Sequence, residues 1–173
     1  GTSNFMRGIP HYCISIACVR HGKFEHAIIL DPVRHEEFTA SRGCGAQLNG
    51  RRIRVSDRTD LKECLIGTGT PFLGHSEDRM DWYLKGLGEV AGNSMGIRRA
   101  GAAALDLAYV AAGRLDGFWE AGLKPWDFAA GALLIRESGG LVTDFKGSDK
   151  VLEGGDVICA NPRLLKKLAA AIR

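Results

Sequence analysis

Leu123-Lys124-Pro125-Trp126-Asp127-Phe128-Ala129-Ala130-Gly131 is the stretch on which the fold turns. A proline two residues ahead of a carboxylate, followed by small and apolar residues through Ile135, predicts a central helix over 126–138. An acid in a first turn is favoured by the helix dipole and projects from a rigid element into the space ahead of it. Asp127 is therefore the residue around which candidate chemistry is sought.

Downstream, Gly139-Gly140 leads to strands at 141–144 and 157–160 and to a closing amphipathic helix over 162–172, with 147–155 reading as a mobile loop between the strands. Upstream, the Ala/Leu-rich run 102–112 predicts a strong helix, preceded by Gly101 and stopped at Gly113. A brief strand at 116–120 separates the two helices. Met80, Leu84 and Leu87 share one side of a helix over 77–90, which follows a short apolar strand at 64–69. The first part of the chain is different. Strands at 12–20 and 24–31 flank a His21-Gly22-Lys23 turn, a third follows at 37–40, and Asn49-Gly50 is the strongest hairpin signal present. Its outgoing arm, Arg51-Arg52-Ile53-Arg54, reads as an edge strand guarded by charge rather than as a nucleic-acid patch. Antiparallel hairpins followed by alternating helices and strands make a mixed α/β protein of layered helix and sheet.

Bulk composition restricts the function classes. At 173 residues, 45% hydrophobic and 25% charged, the chain is an ordinary globular domain with one sizeable core. A formal net charge of +3 is too small to argue for nucleic acid. No apolar run is long enough to cross a bilayer and no signal peptide is present, so the expected location is cytoplasmic, without membrane attachment. Five cysteines (Cys13, Cys18, Cys44, Cys64, Cys159) with no C-x-x-C pair predict buried reduced thiols rather than disulfides or zinc ligands.

Four features are candidates for chemistry. Gly1-Thr2-Ser3-Asn4 offers free backbone N–H groups and hydroxyls to a phosphate oxygen or a metal-bound water, although such a string is commonly only a turn. Gly101 before the 102–112 helix allows an anion to approach that helix's N-terminus, and tight helix packing explains it about equally well; Arg98 or Arg99 could reinforce anion binding, although a surface ion pair is the commoner fate of such residues. Glu120, after two aromatics at a strand end, can accept hydrogen bonds from a polyhydroxylated ligand, against the plainer alternative of an exposed edge acid. Asp127 is either a first-turn cap of about 1 kcal/mol or a Mg²⁺ ligand, because hard divalent cations take carboxylate oxygen. Asp106, inside an apolar helix, reads as a buried acid held by an arginine.

Taken together these residues resemble one family. Gly1-Thr2-Ser3-Asn4-Phe5 is similar to the end of the D-P-[LI]-D-G-T-[ST]-N-F motif of the inositol monophosphatase family, and Pro125-Trp126-Asp127-Phe128-Ala129-Ala130-Gly131 to its W-D-x-A-[AG] motif. The segments between, from Gly101 through Arg114 and Phe118-Trp119-Glu120, match in order and spacing. Arg42-Gly43-Cys44-Gly45-Ala46-Gln47-Leu48-Asn49-Gly50 is especially similar to the bacterial SuhB-type branch. The resemblance implies a layered α-β-α-β-α sandwich of which residues 1–173 are the C-terminal two-thirds, 1–70 an antiparallel sheet part and 71–173 an alternating part. It implies a Mg²⁺-dependent, lithium-sensitive phosphatase of inositol monophosphate or related sugar-alcohol phosphates, usually a homodimer.

Carried over, Asp127 would ligate Mg²⁺ near the leaving group. Gly1 and Thr2 would hold phosphate oxygens, with Thr2 also orienting the attacking water. Gly101, Ala102 and Ala103 would line the inositol side, Glu120 would bind ring hydroxyls, and Arg98 would assist on the substrate side. The family's other metal carboxylates fall upstream of Gly1, so the 173 residues alone are expected to be inactive. A non-enzymatic alternative also follows from the SuhB-type likeness: a regulatory scaffold with RNA polymerase and Nus factors in ribosomal RNA antitermination.

Overall fold

The structure, a computed structural model, describes residues 1–71 and 79–173. After a short helix α1 (Thr2–Met6), the chain lays down an antiparallel meander of β1 (Ile14–Arg20), β2 (Lys23–Asp31), β3 (Glu36–Ser41), β4 (Gly45–Leu48) and β5 (Arg51–Arg52), each strand beside the next. The predicted hairpins are present, with Gly22 and Gly50 in the left-handed region that their turns require. The two-residue β5 forms the exposed basic edge.

The second sheet contains β6 (Leu65–Thr68), β7 (Gly96–Arg98), β8 (Gly117–Glu120), β9 (Leu141–Thr143) and β10 (Val157–Ala160), in the spatial order β7-β6-β8-β10-β9. β6 runs parallel to β7 and β8, while β10 is antiparallel to β8 and β9. Gly-Phe-Trp-Glu in β8 and Val-Ile-Cys-Ala in β10 are buried at every position, because helices cover both faces. Helices α3 (Ala103–Ala111) and α4 (Pro125–Glu137) lie between the two sheets, and α2 (Met80–Asn93) and α5 (Pro162–Ala171) cover the far face of the second. Sheet, helix pair, sheet and helix pair are successive layers of the α/β sandwich.

The unbroken buried run Phe128 to Ile135 in α4 follows from this position, since a helix between two sheets has no solvent face along that stretch. α3 and α4 touch closely through small residues. A Cβ placed on Gly131 would stand 2.4 Å from Leu107 Cβ. α5, by contrast, is amphipathic: Leu164, Leu165 and Leu168 face the core, and Asn161 caps its start by accepting from Arg163 N and Leu164 N, each at 3.0 Å.

Several local expectations shift. Gly1-Thr2-Ser3-Asn4 opens a helical turn rather than a plain loop, tied down by Asn4 Nδ2, which donates to His11 O (2.8 Å) and Ala100 O (3.0 Å). The segment 147–155 is anchored: Asp144 Oδ1 accepts from Lys146 N and Ser148 N at 2.8 Å, and Val151 is buried within a single 3-10 turn. β7 was too short to carry a periodicity of its own; pairing with β6 makes it a strand. Of the five thiols, Cys64 and Cys159 are buried and Cys13 half-buried, whereas Cys18 and Cys44 are exposed on an edge strand and a turn. Positions 77–78 of the predicted helix lie outside the described residues. No helix among those described is long and apolar enough to cross a membrane.

Candidate active site

Six chain segments end at one cavity of about 320 Å³. Gly1 to Asn4 form one lip. Thr68-Gly69 at the end of β6 and Glu120 at the end of β8 face it across the sheet, and Arg99, the Gly101-Ala102-Ala103 turn and Asp106 of α3 close another side. Leu123 and Asp127 complete the wall at the start of α4. The carboxyl ends of the parallel strands β6 and β8 border the cavity, the place where open α/β sheets present their ligand sites.

Asp127 is the third residue of α4, and its Oδ2 accepts from Lys124 N at 2.9 Å. One oxygen thus performs the cap, reaching back to the residue before the helix. Oδ1 accepts no hydrogen bond among the described residues, and the half-buried side chain lines the cavity. Both alternatives weighed for this acid are compatible within one side chain.

Glu120 is not an edge acid. β8 lies in the middle of its sheet, and Glu120 is 7% exposed. Burial pushes its carboxyl up to about 7, partly opposed by the charge of Arg99 and reinforced by that of Asp127. Room for it exists only because position 69 is glycine: a Cβ there would stand 1.8 Å from the Glu120 Cδ. The Thr68 hydroxyl beside it lies 3.0 Å from the carbonyls of both Trp119 and Gly69 and shares its one proton between them.

Gly101 has φ +84°, which frees the turn ahead of α3, and Asn4 holds that turn against the Gly1–Asn4 lip. Thr2, Gly101, Ala102 and Ala103 all border the cavity. Arg98 does not. Its Nη1 folds back onto Ile97 O at 3.0 Å, and the neighbouring Arg99 lines the cavity instead, donating through Nη2 to Thr70 Oγ1 at 2.8 Å. Thr68, Gly69 and Asp106 were not among the predicted site residues; the strand-end position could have marked the first two. Asp106, read from sequence as an arginine-held acid, has no arginine within ion-pair distance among the described residues.

A direct consequence concerns Gly69. Gly69→Ala must displace the Glu120 carboxyl by more than an ångström, and misplacement on that scale is expected to lower kcat/KM about tenfold for any reaction that the cavity supports in the full-length protein. Steady-state kinetics of the variant, with its melting temperature measured alongside, checks this.

The sequence profile described as "Inositol monophosphatase family" matches residues 1–173. The chain is 57% identical over its whole length to a Pseudomonas aeruginosa protein named "Nus factor SuhB", and 51% identical to an "Inositol-1-monophosphatase" of Rhizobium meliloti. It spans 64% of the length of each of these curated relatives. The crystal structure of the extragenic suppressor protein suhB from Bartonella henselae superposes on all of the chain and 66% of its own length, with a TM-score of 0.95 at 47% identity. With the sandwich layers, the end-to-end profile match and these identities in agreement, the chain belongs to the inositol monophosphatase family.

Proposed function

We propose that the full-length protein hydrolyses phosphomonoesters of inositol or a related sugar alcohol, with Mg²⁺ as cofactor. The observation that carries this reading is the convergence of Glu120, Asp127 and the Gly101-Ala102-Ala103 turn on one cavity. On this reading Glu120 accepts ring hydroxyls, the turn supports the sugar side, and Gly1 with Thr2 holds phosphate oxygens, the Thr2 hydroxyl also orienting the attacking water. Arg99, rather than Arg98, is the cation on the substrate side.

Asp127 suits a hard divalent cation, with a carboxylate oxygen uncommitted among the described residues and facing a polar cavity. Such an ion, when bound, polarises the phosphoryl group and stabilises the leaving alkoxide. One ligand does not make a site, however, and no group of three or more His, Cys, Asp or Glu among the described residues could hold a metal ion. The 173-residue chain alone is therefore expected to bind Mg²⁺ poorly and to be inactive, and the full-length protein to be active, cytoplasmic, homodimeric and inhibited by lithium. Phosphate release from inositol-1-phosphate, measured with Mg²⁺ for both lengths, tests this. Turnover by the shorter chain, or none by the longer, overturns it.

A second reading is favoured by the naming of the Pseudomonas aeruginosa relative as a Nus factor. Here the protein is a partner of RNA polymerase and Nus factors, and the exposed arm Arg51-Arg52 is available for contact. The two readings are compatible in one molecule and separate by mutation of the cavity alone.

A further inference from the structure

The described residues contain several acids with buried side chains, and they fall into two kinds. Asp31 and Asp116 are satisfied by the protein itself. Asp31 accepts from Val33 N, Arg34 N and Arg34 Nη1 at 2.9–3.0 Å, and Asp116 accepts from Leu65 N at 2.7 Å and from Arg58 at 3.4 Å. Asp106 is different. It is the fourth residue of α3 and 2% exposed, it lines the cavity beside Glu120, and among the described residues its carboxyl accepts no hydrogen bond and forms no ion pair.

The carboxyl is open to the cavity, and a polar group on a cavity wall with no protein partner among the described residues is free to pair with what enters the cavity. The chemistry of that partner follows from the protonation state. Burial, and then the neighbouring charge of Glu120, hold the Asp106 carboxyl well above the usual range, partly opposed by the charge of Arg99. A protonated carboxyl presents one O–H donor and one carbonyl acceptor. That pairing suits an alcohol, which also donates and accepts, better than a phosphate or a cation.

We propose that Asp106 is a specificity-determining residue that reads a hydroxyl of the sugar-alcohol part of the substrate, beside the hydroxyl taken by Glu120. The inference rests on the phosphatase reading above.

The test uses the full-length protein with two substrates, inositol-1-phosphate and p-nitrophenyl phosphate, which has no alcohol hydroxyl. Asp106→Ala is expected to raise KM for inositol-1-phosphate about tenfold, the size of one lost hydrogen bond, and to leave kcat/KM for p-nitrophenyl phosphate within about twofold. Asp106→Asn keeps a donor and an acceptor in the same shape and is expected to restore most of the loss. Equal losses on both substrates, no change on either, or an asparagine variant as poor as the alanine one overturn the assignment. A wild-type protein with no turnover of inositol-1-phosphate overturns the phosphatase reading and this one with it; loss of selectivity failing to appear in an active enzyme overturns this one alone.

Discussion

Asp127→Asn in the full-length protein is expected to lower kcat for inositol-1-phosphate by at least about 10²–10³-fold, the cost of removing one group that stabilises developing charge in a preorganised site. The substitution is chosen because the side chain has two tasks. Its Oδ2 accepts from Lys124 N at 2.9 Å and helps start α4. An asparagine carbonyl can accept the same bond, so the cap contribution of about 1 kcal/mol is largely kept. What asparagine cannot supply is a charged oxygen for a hard cation. The expected result is thus an inactive protein with nearly unchanged helix content and melting temperature, and with Mg²⁺ affinity lowered by calorimetry. Full activity in Asp127→Asn would reduce Asp127 to a helix cap and remove it from the site. The same variant separates the two proposed roles: if phosphate release is lost while ribosomal RNA antitermination persists, the cell uses the fold as a scaffold and the cavity for something else.

How much of this was legible in the sequence depends on the range over which each signal acts. The hairpins at Gly22 and Gly50, the apolar runs of α3 and α4 and the Asn161-Pro162 start of α5 are local, and they were read within a few residues of their observed bounds. Strand β7 was not read, because three residues carry no period and its strand character comes from Leu65 to Gly67 beside it. The thiols misled for a related reason: Cys18 sits in an apolar string that the fold places on the outermost strand of the sheet among the described residues. In the site, Asp127, Glu120 and Gly101 stood out by chemistry and neighbours. The choice of Arg98 over Arg99 could not be made from adjacent positions in a strand end, where successive side chains point opposite ways. Gly69 carried no local mark beyond its place at a strand end. Its importance lies in a contact with Glu120, 51 positions away in the chain, which only the β6–β8 pairing creates. Asp106 was assigned the commonest fate of a buried acid, and the fold sets it on a cavity wall that Arg99 shares, with no arginine in ion-pair distance among the described residues.

Glu120→Gln is expected to make the metal-free full-length protein more stable at alkaline pH while weakening its hold on the sugar alcohol. Burial raises the Glu120 carboxyl from its ordinary 4.5 to about 7, so the folded state keeps a proton that the unfolded chain gives up. A raised carboxyl costs nothing below its unfolded value, where both states are protonated. Between about 4.5 and 7 stability falls as pH rises, and above 7 the loss is constant. Glutamine has no such proton to lose. Its advantage should therefore be about 3 kcal/mol at pH 8 and shrink to under about 1 kcal/mol at pH 5, by denaturant unfolding at each pH. A pH-independent difference would mean that the substitution acts through packing, and a glutamine variant less stable at pH 8 would mean that a neighbouring cation already satisfies the charge. The gain in stability and the loss in function have one origin. A carboxylate buried against Gly69, with no protein hydrogen bond among the described residues, is a poor structural element, and the same lack of partners leaves it free to accept a substrate hydroxyl once ionised. Binding of the polyol phosphate should accordingly tighten in the wild type as pH rises through about 7 and stay flat in Glu120→Gln, so one substitution reports both the cost of the buried acid and its use.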